Sequence, residues 1–220
     1  MFSWLKGERR EKDKSSRFSK DAALHSLRYV VLDTELTSLD KRANRLLSIG
    51  AIAMEGPRIQ VGGQFYRVVN PGVPVPAESV LIHTLRCEDV EAGEPLSTVL
   101  EEFCGFIRGA VLIGHFLDID LGVLRKELGA SGHQMDNPAV DTARIHHWLL
   151  RHGPYSEDLH VRLEELDLPT VAKAYGLEQL DAHHALSDAF LTACAWQRMM
   201  PMAEQRGIRN LGQLLRIGRA

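Results

Sequence analysis

The sequence predicts an α/β protein, a mixed sheet flanked by helices. Three observations lead there. Three strand-like stretches with short gaps fill the first third of the chain, strand-like and helix-like patterns then alternate, and the remainder is helix-periodic. Consecutive strands followed by strand–helix alternation belong to layered α/β folds. With 220 residues, 45% of them apolar and 25% charged, the chain has ordinary globular composition and length enough for a real core.

Order is expected from near Leu24. Tyr29 to Asp33 is β-branched and apolar, a buried strand, and Leu46 to Met54 reads as a second. Val61 to Val69 reads as a third, with Gly62 and Gly63 marking a bulge or bend. Their short gaps predict an antiparallel meander. Pro71, Pro74 and Pro76 then impose a loop. Leu96, Val99, Leu100, Phe103 and Ile107 recur at helical spacing. Ala110 to His115 is a fourth strand. Leu121, Leu124 and Leu128 mark a helix ending near Gly129, and Ala139 to Thr142 a short fifth strand. Helices are expected over about 142–152, 169–175, 184–200 and 208–217.

Composition excludes several classes. Three cysteines (Cys87, Cys104 and Cys194) form no C-x-x-C pair, which argues against a disulfide framework or a thiolate zinc site. No apolar run approaches the roughly 18–20 residues that span a bilayer, and the start of the chain has no secretory apolar stretch. A soluble, cytoplasmic protein without membrane partners is expected. The net charge of −3 hides an asymmetry. Residues 1–20 carry seven Lys/Arg and three acids, so 1–23 reads as a basic, flexible tail on an acidic body.

Three stretches carry chemistry. Asp33-Thr34-Glu35 ends the first strand, and alternation puts both carboxylates on one face. Such neighbours repel unless a cation lies between them, and hard oxygen ligands suit Mg²⁺ or Mn²⁺. The second stretch runs from Gly114 to Leu124, out of the fourth strand into a helix. Asp118 and Asp120 stand about 200° apart on a helix, so only one can face a site. Asp118 is the expected N-cap, which leaves Asp120 as the ligand. The third stretch is His183-His184-Ala185-Leu186-Ser187-Asp188. His183 and Asp188 are about 140° apart, and both serve one site only if His183 lies in the loop before the helix. Asp181 or its neighbours are then candidates to cap that helix.

Taken together, in this order and spacing, the stretches resemble the DnaQ-like 3′–5′ exonucleases, the DEDDh group that includes the proofreading epsilon subunit of bacterial DNA polymerase. Val30 to Asp40 looks like the first motif, Leu112 to Leu124 the second, and His183 to Ala189 the third. Leu36 and Ser38 replace the usual Thr and Gly of the first motif, and Phe116 stands where many members carry Asn. None of these removes a carboxylate.

The resemblance implies a ribonuclease H-like fold, a five-stranded mixed sheet, with the exonuclease domain over 24–205 and a C-terminal helical extension over 206–220. It implies that Asp33, Glu35, Asp120 and Asp188 bind two divalent ions, Mg²⁺ or Mn²⁺, and that His183 takes the proton of an attacking water. Four carboxylates and two such ions leave a near-neutral site for a phosphodiester. Thr34, Glu35, Thr37, Leu39 and His83 fall at substrate-binding positions. The expected partner is the 3′ end of single-stranded nucleic acid, DNA favoured over RNA. A polymerase or sliding-clamp partner has no support in the sequence, since Gln213 to Ile217 reads as an amphipathic helix. His115 is expected to orient its turn, and Trp148 and Trp196 to pack.

Overall fold

The computed structural model describes residues 18–38, 40, 44–73, 85–153, 161–178 and 183–220. Six strands form one mixed sheet: β1 (Arg28–Leu36), β2 (Leu46–Glu55), β3 (Arg58–Asn70), β4 (Glu94–Pro95), β5 (Val111–Gly114) and β6 (Ala139–Asp141). Their spatial order is β4-β3-β2-β1-β5-β6. The meander is as expected, with β1, β2 and β3 antiparallel, while β5 and β6 add parallel to β1. The sheet has one strand more than the five expected. The extra one, β4, is two exposed residues pairing parallel with the end of β3, too short to carry any periodicity. The anticipated irregularity at Gly62 and Gly63 is present: the β2–β3 register shifts between Ile52 and Met54, and Gly62 adopts φ +77°.

Seven α-helices lie among the described residues: α1 (Cys87–Glu91), α2 (Leu96–Phe106), α3 (Asp118–Ala130), α4 (Thr142–Arg151), α5 (Leu168–Ala174), α6 (Ala185–Gln205) and α7 (Leu211–Gly218). α6 continues past Met200 through Pro201, and Ala203 beyond it is buried in the core. None of these helices is long and apolar enough to cross a membrane.

Strand alternation divides the core in two. Tyr29 and Val31 of β1 pack with α4 and α6, including Trp196, whose ring meets that of Tyr29 edge-on at 5.6 Å. Val30 and Leu32 pack on the opposite face with Phe103 of α2 and with Leu121 and Leu124 of α3. The period of two that sorts β1 residues between these layers also sorts its functional groups. Asp33 and Glu35 continue the face that looks toward α6, and Thr34 the face that looks toward α3. The ladder is regular from Arg28 to Glu35 and shifts only between Glu35 and Leu36.

Both ends of the described chain are tied to this body. Leu24 N–H donates to Arg209 O, and Leu211 N–H to Ala22 O. Leu211 and Leu214 of α7 enter the core beside α4. Trp148 stacks on His152 at 4.3 Å, a packing role as expected.

Candidate active site

Carboxylates from three separate elements meet at the C-terminal end of β1. Asp33, Glu35 and Asp188 each place an oxygen within 4.8 Å of the others. Asp188 comes from the first turn of α6. Asp120, from the first turn of α3, approaches from the other face, where Thr34 Oγ1 donates to its Oδ1 at 2.5 Å. Glu35, Asp120 and Asp188 are each less than a tenth exposed, and Asp33 is half-buried.

Gly50 of β2 allows the approach of α6. It pairs with Asp33 across the β1–β2 ladder. A Cβ there would lie 2.2 Å from the carbonyl carbon of Ala185 and 2.2 Å from Leu186 N. The start of α6 therefore rests on bare backbone beside Asp33. A glycine inside an apolar strand signals such an approach, and sequence reasoning passed over it.

The helices bearing Asp120 and Asp188 are each entered through a left-handed residue. Phe116 has φ +51° and His183 φ +61°, the only positive-φ non-glycine residues among those described. The backbone at such positions is strained, and surrounding hydrogen bonds must hold it. Each N–H donates to a carboxylate: Phe116 N to Asp141 Oδ1 at 3.3 Å, and His183 N to Asp188 Oδ2 at 3.1 Å. His183 thus lies in the turn before the helix, as one shared site requires. Its side chain is exposed. His184 follows as the N-cap residue, and its ring stacks on Tyr66 of β3 at 4.7 Å. Tyr66 faces Gly50 across the β2–β3 ladder, a placement that depends on a register the sequence does not display.

The assignment of Asp118 as N-cap is corrected. Leu117 occupies the cap position with no side-chain hydrogen bond, and Asp118 is an exposed first-turn residue paired with Arg144 at 2.8 Å. The cap is tertiary instead. Buried Asp141 accepts from Phe116 N, from Leu117 N at 3.1 Å and from Ala143 N at 2.8 Å. Asp118→Asn is therefore expected to change stability by no more than about 1 kcal/mol, as for other exposed ion pairs. Asp141→Ala leaves three donors without their acceptor and should cost about 2–4 kcal/mol. Paired chemical denaturation curves check this, and an equal cost for both variants would overturn the reassignment.

His115 orients its turn. Its Nε2 faces Leu166 O at 2.7 Å and must donate, because a carbonyl only accepts. Its Nδ1 lies 2.9 Å from the Thr142 hydroxyl, which also donates to Gly114 O at 3.0 Å, and burial lowers the ring's pKa. The Thr37 hydroxyl accepts from Arg45 N at 2.9 Å and closes the β1–β2 connection. Thr34 and Thr37 thus turn their side chains into the protein, while Glu35 faces the cluster. Leu39, His83 and Asp181 lie outside the described residues.

The electrostatics ask for cations. Burial, then the charges of Asp120, Glu35 and Asp188, holds the Asp33 carboxyl well above the usual carboxylate range. Burial, then Asp188 and Asp120, pushes Glu35 up to about 8. Asp120 rises to about 7 through burial, against the hydrogen bond from Thr34. Among the described residues no Lys or Arg forms an ion pair with Asp33, Glu35 or Asp120. A crowded set of hard oxygen donors fits divalent cations.

A pH dependence follows. Folding raises these carboxyl pKa values, so between the unfolded range near 4 and about 8 the folded state binds more protons than the unfolded one. Stability of the metal-free protein must then fall as pH rises through that window. Mg²⁺ or Mn²⁺ should raise Tm more at about pH 8 than at about pH 5. Equal shifts at both pH values in thermal melts would contradict this.

Comparison with known proteins supplies the family. The exonuclease family RNase_T matches residues 30–195, three quarters of the chain. The chain belongs to this exonuclease family. A DNA polymerase III subunit epsilon-like protein of Rhodobacter capsulatus is 30% identical over 89% of the chain, and the DNA polymerase III PolC-type of Thermotoga maritima 27% identical over 89%. The chain spans 27% and 14% of those relatives, respectively. Among solved structures, Escherichia coli exonuclease I in complex with a dT13 oligonucleotide superposes with TM-score 0.70 at 17% identity, covering 82% of this chain and 42% of that one. Cell-death related nuclease 4 gives 0.66 at 18% identity, covering 80% and 64%. These likenesses place the mixed sheet in the ribonuclease H-like exonuclease fold. The matched stretch contains Asp33, Glu35, Asp120, His183 and Asp188.

Proposed function

We propose that this protein is a metal-dependent 3′–5′ exonuclease that trims single-stranded DNA and releases nucleoside 5′-monophosphates. The carrying observation is the meeting of Asp33, Glu35 and Asp188 from β1 and α6 at one strand end, with Asp120 of α3 near enough for its charge to act on Asp33. Two divalent ions held by these four carboxylates would neutralise the site and stabilise the attacking and leaving oxygens of an in-line displacement.

The chain's own groups do the rest. Thr34 fixes the carboxylate of Asp120 on the far face of β1. The His183 main chain anchors Asp188, and the exposed His183 side chain would serve as general base toward the attacking water. A positioned base of this kind contributes typically ~10²–10⁴-fold. The glycine contact at β2 and the Tyr66–His184 stack hold the start of α6 against the sheet. Single-stranded DNA is favoured because exonuclease I, which shares the fold, is seen with a DNA oligonucleotide.

The test uses 5′-labelled single-stranded DNA and RNA with Mg²⁺, Mn²⁺ or EDTA, and an Asp188→Asn control. A ladder shortening from the 3′ end, absent in EDTA and in the control, is expected, with DNA cut faster. Faster cleavage of RNA would reassign the substrate, because the 2′-OH is read by local pocket contacts. Folded protein that cuts neither strand would overturn the proposal.

A further inference from the structure

Charge is strongly segregated along this chain, and the fold brings Lys20, at the end of one basic segment, to the other basic segment. Residues 1–20 have a net charge of +4, residues 206–220 contain four arginines and no acidic side chain, and residues 21–205 have a net charge of −11. Ends that are remote in sequence are tied by main-chain bonds: Gly212 N donates to Lys20 O at 2.7 Å, and Ala23 bridges Asn210. Between them lies an open cleft of about 500 Å³, lined by Lys20, Arg216 and Arg219 together with Asp21 and Gln213. The three cations are exposed, and among the described residues none forms an ion pair. Arg216 in the last turn of α7 suits the helix dipole. Arg219, the C-cap residue, shares that reason, whereas Lys20 comes from the other end of the chain and has none.

The sheet register places this cleft relative to the carboxylates. Arg219 bridges Val140, which is level with Ile113 and Val31, two residues short of Asp33 on β1. Three strand spacings of about 4.8 Å separate Arg219 from β1, roughly 14 Å across the sheet. The cleft therefore lies outside the carboxylate cluster, with Arg219 at the end of it nearer to β5 and β1 and Lys20 at the other end.

We propose that the cleft of Lys20, Arg216 and Arg219 is an accessory site for the phosphodiester backbone of single-stranded nucleic acid. It holds the part of the strand that lies 5′ of the cleaved end. The cluster carries negative charge and needs cations to accept a phosphodiester, whereas this pole attracts the backbone directly. Binding of this kind releases counterions, so it raises affinity in a salt-dependent and sequence-independent way. The proposal rests on the exonuclease reading only for the direction in which the strand lies.

The test compares the full chain with a variant carrying Lys20→Glu, Arg216→Glu and Arg219→Glu, both in an Asp188→Asn background so that the strand survives. A matching set of Gln substitutions guards against misfolding of the Glu set. Binding of an oligothymidylate of about twenty nucleotides is followed by fluorescence anisotropy across a salt series. Affinity should drop at least about tenfold at low salt, and the salt slope should flatten by about 2, at ~0.7 for each phosphate no longer neutralised. In the otherwise wild-type chain, the variants should raise KM for the long strand and leave dinucleotide hydrolysis unchanged. Unaltered affinity and slope would overturn the site. So would an unchanged oligonucleotide affinity alongside lost binding to anionic phospholipid vesicles, which would assign the pole to a membrane surface. If the protein cuts nothing, the anisotropy result still decides the cleft by itself.

Discussion

Asp33→Asn should abolish exonuclease activity and at the same time raise the melting temperature of the metal-free protein. The two effects have one cause. Asp33 lies beside Glu35 and Asp188 on the α6 face of β1 and feels the charges of all three other carboxylates. At neutral pH folding must either hold the Asp33 charge against burial and repulsion or protonate it, and the amide avoids both costs without removing bulk. On the proposed two-ion reading, the same amide withdraws a ligand from cations that would be worth several kcal/mol to a phosphodiester transition state. A loss of at least about 10³-fold, some 4 kcal/mol, is expected. Melts in EDTA and in Mg²⁺ separate the contributions. The variant should melt higher than the wild type in EDTA and gain less from Mg²⁺. A variant that melts lower in EDTA would show that Asp33 has a structural partner and that repulsion is not its dominant interaction. Near-wild-type cleavage would remove Asp33 from the site.

What could be read in advance divides along a physical line. Features set by local periodicity were legible. Alternation along β1 placed Asp33 and Glu35 on one face, and the five-residue spacing placed His183 in the turn ahead of Asp188. Features set by register were not. The cap on α3 comes from Asp141, buried at the end of β6, and it displaced the local candidate Asp118, which pairs with Arg144 instead. Alternation puts Thr34 on the opposite face of β1, but that its hydroxyl meets Asp120 there depends on how α3 packs on the sheet. Tyr66 reaches His184 because β3 pairs with β2 in one particular alignment, which no pattern in β3 announces. The meeting of Lys20 with Gly212 is likewise a tertiary event. The glycine of β2 was the exception, because its signal stood in the sequence.

Gly50→Ala tests that signal. One methyl group at this position would stand 2.2 Å from two backbone atoms of α6 and 2.4 Å from Ala185 O, all main chain and none able to swing away. Either α6 recedes from the sheet or β2 buckles, and overpacking of this kind costs typically ~1–3 kcal/mol. The consequence for catalysis should exceed that for stability. Asp188 lies within the first turn of α6, so a shift of the helix separates it from Asp33 and Glu35, and a misplacement of about 1 Å at reacting groups costs on the order of 10²-fold. The variant should therefore remain folded at room temperature, cleave at least about a hundredfold more slowly and gain less thermal stability from Mg²⁺ than the wild type. Gly122→Ala provides the contrast. That glycine lies exposed within α3 with nothing near its Cβ direction, so alanine should leave cleavage unchanged and add up to about 1 kcal/mol. If Gly50→Ala matches the wild type in Tm and kcat, the start of α6 does not lean on β2, and the close approach cannot be what brings Asp188 to the other carboxylates.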